Sequence, residues 1–348
     1  MIPFPSISQF RHLVAAVTER IQYVGRDPGA DRAIFDTTRP LPTLTFTGTI
    51  KLHGSNTAVV FQGDRPMQFQ SRSRDLSVTS DYAGFAAAMT SHATELRQLH
   101  AAICRVTNCA CDASIAIYGE WCGGSIQGGV ALAQLPKMFV YFAINVDGRW
   151  LDMHLLHDVD YPDARIYHIM RFGTYSIEIP LDAPDAAQAQ LEAWTADVEA
   201  ECPAAKALGV SGTGEGIVWA CTSPGYALNS RFWFKTKGDK HALTSSSSGG
   251  RQRTPATSLA PDVVASVEAF VRDYVSDNRL RQGVNVLAER GLEVTIKQTG
   301  AFVQWVTHDI ETEEADTLEA NASTLCRPIV KKAIATAARA WYLAQLQT

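Results

Sequence analysis

Thr244-Ser245-Ser246-Ser247-Ser248-Gly249-Gly250-Arg251-Gln252-Arg253 contains no aliphatic or aromatic side chain, and the apolar pattern of the chain differs on its two sides. A segment with so little to bury cannot join a packed core, so it marks a domain boundary. Before it, Thr43 to Leu52 alternates with a period of two, Thr57 to Gln62 is rich in β-branched residues, and Met67 to Ser71, Ser114 to Tyr118, Met138 to Val146, Ile217 to Ala220 and Phe232 to Lys237 read as further strands. Helical spacing is confined to Ser8 to Gln22 and Tyr82 to Cys104. After it, Asp262 to Val275, Asn278 to Arg290, Ala301 to Ile310 and Thr324 to Leu346 all read as helices, with Asp277 as a cap and Gly291 as a stop. The expected fold class is α+β: antiparallel sheets with flanking helices over 1–243, a Ser/Gly-rich linker over 244–258, and a small all-α C-terminal domain over 259–348.

The 348 residues, 46% of them hydrophobic, suffice for two cored units. A net charge of -5 excludes a protein that coats nucleic acid through bulk charge, so phosphate contacts must come from a local basic cleft. No apolar run approaches the roughly 20 residues that span a bilayer, and Met1-Ile2-Pro3-Phe4-Pro5 lacks a secretion signal. The expectation is a cytoplasmic protein without a membrane partner. Seven cysteines with no CxxC pair indicate reduced thiols, and Cys109-Ala110-Cys111 is poor spacing for a structural metal.

Lys51-Leu52-His53-Gly54-Ser55-Asn56 places a lysine at the end of a strand-like run, before a small polar turn. A lysine acting as a nucleophile near neutrality needs its pKa of about 10.4 lowered by roughly 3 units, a preference of about 4 kcal/mol for the neutral amine. Taken alone, the hexapeptide reads equally as a hairpin turn with an exposed lysine. Downstream come Gln70-Ser71-Arg72-Ser73-Arg74, Ile117-Tyr118-Gly119-Glu120-Trp121, Gly214-Glu215-Gly216-Ile217-Val218 and Phe234-Lys235-Thr236-Lys237. These supply cations, carboxylates and polar groups for an attack on a nucleotide α-phosphate. Lys235 and Lys237 gathered near Lys51 would disfavour its ammonium form.

The five motifs, in this order, resemble the covalent nucleotidyltransferases, the superfamily of polynucleotide ligases and mRNA capping enzymes. The KxHGxN form at Lys51 is similar to the RNA ligase 2 family, and the helical tail, with Tyr274 to Leu280 and Ala340-Trp341-Tyr342, looks like that of its phage branch. The resemblance implies a nucleotidyltransferase (ATP-grasp-like ligase) domain and an ATP-dependent RNA ligase. Such an enzyme uses ATP with Mg2+ or Mn2+ and joins 3′-OH to 5′-phosphate ends through lysyl-AMP. It further implies RNA as partner, as nicked duplex, RNA ends or an RNA/DNA hybrid, with the protein a monomer serving RNA repair in a bacterial or phage-infected cell.

Position by position, the resemblance makes Lys51 the adenylylated lysine, with His53 and Asn56 supporting catalysis around the phosphates. Arg72 falls near the ribose and the reacting strand end, Glu120 on the ribose, and Glu215 in the metal and nucleotide network. Lys235 and Lys237 fall on the α-phosphate. The family's aromatic-Asp pair under the adenine corresponds here to Ile144-Asn145, with Phe142 two residues earlier, so the base-stacking role lies with Phe142 or Ile144. Each of these residues also has an ordinary reading as a solvated strand edge, and Trp121, Trp233 and Trp341 read as packing residues. The other functions compatible with the motifs are a DNA ligase, a capping-type guanylyltransferase, and an inactive nucleic-acid-binding protein of the same fold.

Overall fold

The computed structural model describes residues 1–27, 32–110, 112–124, 126–238, 261–314, 318 and 325–346. The expected linker at 244–258, Cys111 and Ser125 lie outside the described residues. Contacts divide the chain into Met1–Gly238 and Asp239–Thr348.

The first unit begins with β1 (Ser8–Gln9), α1 (Phe10–Gln22), β2 (Tyr23–Arg26), β3 (Ala33–Phe35), β4 (Thr43–Lys51), β5 (Ser55–Gln62), β6 (Gln68–Ser71), β7 (Asp75–Leu76), α2 (Phe85–Ser91) and α3 (Ala93–Thr107). It continues through β8 (Ser114–Cys122), β9 (Met138–Val146), β10 (Arg149–Trp150), β11 (Ile166–His168), β12 (Thr174–Pro180), α4 (Asp185–Ala200), α5 (Pro203–Ala207), β13 (Gly216–Cys221) and β14 (Trp233–Lys237). One sheet has the order β1-β14-β13-β4-β12, a second runs β10-β9-β8-β5-β6-β7 with β11 beside β9, and β2 and β3 form a two-stranded third. Pairing is antiparallel except at β1 with β14 and β11 with β9. The α+β class and its mainly antiparallel pairing are thus as the sequence pattern predicts, with two short parallel additions.

Alternation in β4 sends Leu44, Phe46 and Ile50 into a core with Leu13 and Val17 of α1 and Leu191 and Val198 of α4. Gly48 lies on that same face because the Trp219 ring covers it: a Cβ there would sit 2.7 Å from Trp219 Cζ3. The opposite face of β4 carries Thr45, Thr47, Thr49 and Lys51. In the second sheet, Ile115, Ile117 and Trp121 of β8 pack with Leu96, Leu99 and Ile103 of α3. The alternate residues of β8, Ala116 and Tyr118, join Ala58, Val60, Ala143 and Phe4 in a cluster that also takes Trp233 from the first sheet. Apolar burial at about 25 cal/mol per Å² thus fixes which face of each strand is left for polar groups.

Two helix expectations need correction. The span Tyr82 to Cys104 is two helices interrupted at His92, and α2 starts only at Phe85 because Ala83 and Gly84 are left-handed. Asp81 serves the first turn of α2, accepting hydrogen bonds from the amides of Ala86 and Ala87. At the other end, Ser8 and Gln9 leave the expected helix to pair with Phe234 and Lys235.

The second unit holds α6 (Pro261–Tyr274), α7 (Asp277–Glu289), α8 (Thr299–Glu313) and α9 (Arg327–Gln345) around Phe302, Val306, Ile310, Val330, Ile334 and Tyr342. Ser276, not Asp277, caps α7, its hydroxyl accepting from the Arg279 amide. Gly291 ends α7 in the left-handed region, with Leu292 N–H donating to Leu287 and Gly291 N–H to Ala288, the 6→1 and 5→2 pairing of a Schellman motif. The fully buried Arg279 is matched by Asp309 at 3.0 Å and Glu314 at 3.4 Å. Among the described residues no helix is long and apolar enough to cross a membrane.

Gly216 is the tightest point of the first sheet, at φ +154° with a hypothetical Cβ only 2.1 Å from Thr236 O. Gly216→Ala is expected to separate β13 from β14, costing on the order of 2–3 kcal/mol and lowering the thermal midpoint by roughly 5–10 °C. A wild-type midpoint for this variant would contradict the register described here.

Candidate active site

Register in the first sheet creates the site. Gly216 pairs with Lys51 on one side and with Lys237 on the other, so two lysines flank one glycine in a row across β4, β13 and β14. The residue before that glycine is Glu215, whose side chain is only 2% exposed. Its Oε2 accepts from Lys51 Nζ at 2.9 Å and lies 3.1 Å from His53 Nδ1, while Oε1 faces Lys237 Nζ at 2.9 Å. One row away on the same face, Lys235 pairs with Val218, which in turn pairs with Thr49.

The electrostatics overturn one expectation. Burial raises the Glu215 carboxyl, yet Lys237, then Lys51, then the His53 hydrogen bond overcome it and hold Glu215 well below the usual carboxylate range. For Lys51, burial pushes the ammonium down and Arg72 adds slightly to that, but Glu215 and then Glu120 outweigh both, and the net shift is upward. The nucleophile candidate is thus held as an ammonium, not as the neutral amine that the lysine cluster predicts. The cause is two carboxylates: Glu215, 2.9 Å from Lys51 Nζ, and then Glu120 attract the ammonium more than burial and Arg72 disfavour it.

The second sheet supplies the opposite wall. Glu120 on β8 stands between Asn56 and Val140 in the pairing, so Asn56 and Glu120 share a face. Glu120 Oε1 accepts from the Gly54 amide at 2.9 Å, which ties the turn after Lys51 to this carboxylate. Gly54 must be small there, since a Cβ would fall 2.4 Å from Trp121 O. Arg72 is exposed in the loop after β6 and donates to Ser6 Oγ at 3.0 Å. Arg74 instead pins its own loop through Ser80 and the carbonyl of Asp81.

Phe142 and Ile144 part company at a β-bulge. Gly119 pairs with Tyr141 but Tyr118 pairs with Ala143, leaving Phe142 as the extra residue. The slip puts Ile144 opposite Ile117 on the helix-facing side, fully buried with Leu96 and Leu99. Ile144 therefore cannot cover a base, and its candidacy is withdrawn. Phe142 keeps partial exposure beside Phe4, Tyr118 and Trp150. Trp121 and Trp233 are buried packing residues, and Trp341 donates to Asp277 in the helical unit.

The sequence motifs do not include Phe4 or Ser6, and they contain Gln70 only as the residue that opens the Arg72 motif. Gln70 is 3% exposed and bonded to Ile2. The only signal was an aromatic residue between two prolines, Pro3 and Pro5, a local pattern that says nothing of what it packs against. Among the described residues no group of three or more His, Cys, Asp or Glu is arranged to hold a metal.

Comparison with known proteins is informative for the first unit. Among solved structures, similar folds include an RNA ligase variant of Naegleria gruberi with AMP and manganese, at 18% identity and TM-score 0.42, covering 69% of this chain and 56% of that one. The same ligase with pyrophosphate gives 17% identity and TM-score 0.43 over 69% and 56%. A variant with ATP and manganese gives 18% and 0.42 over 69% and 57%. The chain thus spans a little over half the length of these ligases. No curated protein matches it. The sequence model of the RNA ligase family, however, matches residues 44–237, more than half of the chain. That match runs from the strand carrying Lys51 to the last residue of the strand carrying Lys237, and the chain belongs to the RNA ligase family.

Proposed function

We propose that the chain is an ATP-dependent RNA ligase that seals 3′-OH and 5′-phosphate ends through a covalent lysyl-AMP on Lys51. The observation that supports this best is the Lys51–Glu215–Lys237 bridge, an amine held at 2.9 Å by a buried carboxylate that a second amine also holds. In the first step Lys51 Nζ bonds to the α-phosphorus of ATP as the α–β phosphoanhydride breaks, and pyrophosphate leaves. The ammonium must shed its proton for this. Glu215 Oε2, which accepts from Nζ at 2.9 Å, is the first acceptor on the proton's way to solvent, while His53, donating from Nδ1 to the same oxygen, holds that carboxylate in place. Glu215 does not retain the proton, because Lys237 keeps its carboxyl in the low range.

Lys237 and Lys235, on the same face as Lys51, set positive charge against the α-phosphate as charge develops there. Glu120, anchored by the Gly54 amide, holds the ribose, and Asn56 stands next to it. Arg72, at the exposed rim, orients the 5′-phosphate that takes AMP from Lys51 before the 3′-OH displaces it. Mg2+ favours one or two carboxylates plus substrate phosphates over an all-protein cage, and Glu215, beside the lysines that face the α-phosphate, is the carboxylate that would hold it. Bound there, Mg2+ or Mn2+ would supply further positive charge to the phosphate oxygens.

The two stages separate experimentally. Lys51→Ala is expected to abolish sealing of 5′-phosphorylated RNA with ATP while still sealing RNA already adenylylated at its 5′ end. Sealing from ATP at the wild-type rate would exclude this role for Lys51.

The ion cluster also predicts a pH dependence. The Lys51 ammonium is favoured by folding, so its stabilisation is complete below the ordinary 10.5 and is lost as pH rises through the higher folded value. Glu215 is depressed, so its contribution is complete above 4.5 and is lost as pH falls toward its lower folded value. Glu215→Gln is therefore expected to be most destabilising between those limits, by about 3–5 kcal/mol in denaturant titrations. It should also lower the pH midpoint at which Lys51 reacts with a small acylating reagent, read by peptide mass spectrometry. An unchanged midpoint would contradict the assigned electrostatics.

A further inference from the structure

We infer that residues 2–9 are a positioning element of the nucleotide site, with Phe4 orienting the Phe142 ring and Ser6 orienting Arg72, an inference that rests on the ligase reading above. These residues precede the span 44–237 matched by the family. They nevertheless touch three positions assigned to nucleotide or strand end. Phe4, 8% exposed, lies edge-on to Phe142 at 5.4 Å and 70°, with Tyr118 at 5.0 Å, Trp150 at 5.8 Å and Trp233 at 6.2 Å around it. Ser6 Oγ accepts from Arg72 Nη2 at 3.0 Å. Ser8 and Gln9 then pair with Phe234 and Lys235, and Ser8 Oγ donates to Trp233 O at 3.3 Å.

The segment is anchored independently of these contacts. Ile2 N–H donates to Gln70 Oε1 at 2.9 Å, and Ile2 O accepts from Gln70 Nε2 at 2.5 Å and from Tyr118 Oη at 3.1 Å. Since Gln70 sits on β6 and Tyr118 on β8, the stretch is fixed to the second sheet at one end and to β14 of the first at the other. The need for such support follows from the bulge. Phe142 is the unpaired extra residue of β9, so no cross-strand partner fixes its direction, and an edge-on neighbour is what holds an aromatic face in place. Arg72, exposed on a loop, has the rotamer freedom that a hydrogen bond to a neighbouring hydroxyl restricts. A segment that merely filled the core would need neither the Ser6 contact nor edge-on contacts to Phe142 and Trp150, the two partly exposed rings of the cluster.

The test is lysine adenylylation followed by AMP transfer, with each step measured separately. Phe4→Leu keeps apolar volume but removes the ring. It is expected to raise the half-saturating ATP concentration roughly 3- to 10-fold, with the maximal rate of adduct formation within about twofold of wild type. Inhibition by inorganic tripolyphosphate, which has no base, should be unaffected, and Phe4→Tyr, which retains the ring, should stay near wild type. Ser6→Ala, an exposed change with no folding burden, is expected to slow AMP transfer to 5′-phosphorylated RNA by roughly threefold or more while ATP dependence is unchanged. The inference is overturned if Phe4→Leu leaves the ATP dependence as it was, strengthens ATP binding, or weakens ATP and tripolyphosphate alike, or if Ser6→Ala transfers AMP at the wild-type rate. A wild-type protein that forms no lysyl-AMP removes the ligase reading and this inference together; one that forms it with these variants unaltered removes this inference alone.

Discussion

Burying a carboxylate is tolerable only where positive charge replaces the water it loses, and in this protein that constraint falls on Glu215. Three donors meet it: Lys51 and His53 on one oxygen and Lys237 on the other. None of the three is near Glu215 in sequence. They arrive because β4 and β14 both pair with β13 in a register that sets Lys51, Gly216 and Lys237 side by side. A slip of one residue in either pairing would turn a lysine to the opposite, apolar face and leave the carboxylate unmatched. The charge cluster therefore favours the same register of the sheet's centre as the core beneath it.

The same arrangement explains how a reactive amine can be kept quiet. With Lys51 held as an ammonium by Glu215 and Glu120, the proposed reaction has it attract phosphate as a cation before it attacks as a nucleophile. Reactivity then depends on what loosens the grip of those carboxylates. This differs from the simpler scheme in which neighbouring lysines depress a pKa by repulsion, and the difference comes from the two carboxylates that act on Lys51.

Local pattern made much of this legible. Alternation located β4, β-branched and apolar runs located β5, β9 and β14, and the pattern put Lys51 at the end of a strand and Lys235 and Lys237 on one face. Long-range pairing was not legible. Nothing within Met138 to Val146 announces that Phe142 is the extra residue at a bulge, yet that slip moves Ile144 to the helix side. The direction of the Lys51 shift likewise depends on a distance to Glu215, 164 residues away, that spacing along the chain does not encode. In the helical unit, helix existence followed from periodicity, while the cap fell to Ser276 because its hydroxyl, one residue earlier, meets the Arg279 amide.

The central claim, that one particular lysine of the three gathered at this sheet takes the nucleotide, is tested most directly by peptide mapping of the protein after incubation with ATP and Mg2+. The account predicts a single acid-labile AMP adduct on the peptide containing Lys51. An adduct found on Lys235 or Lys237 in its place, or none at all, would contradict it.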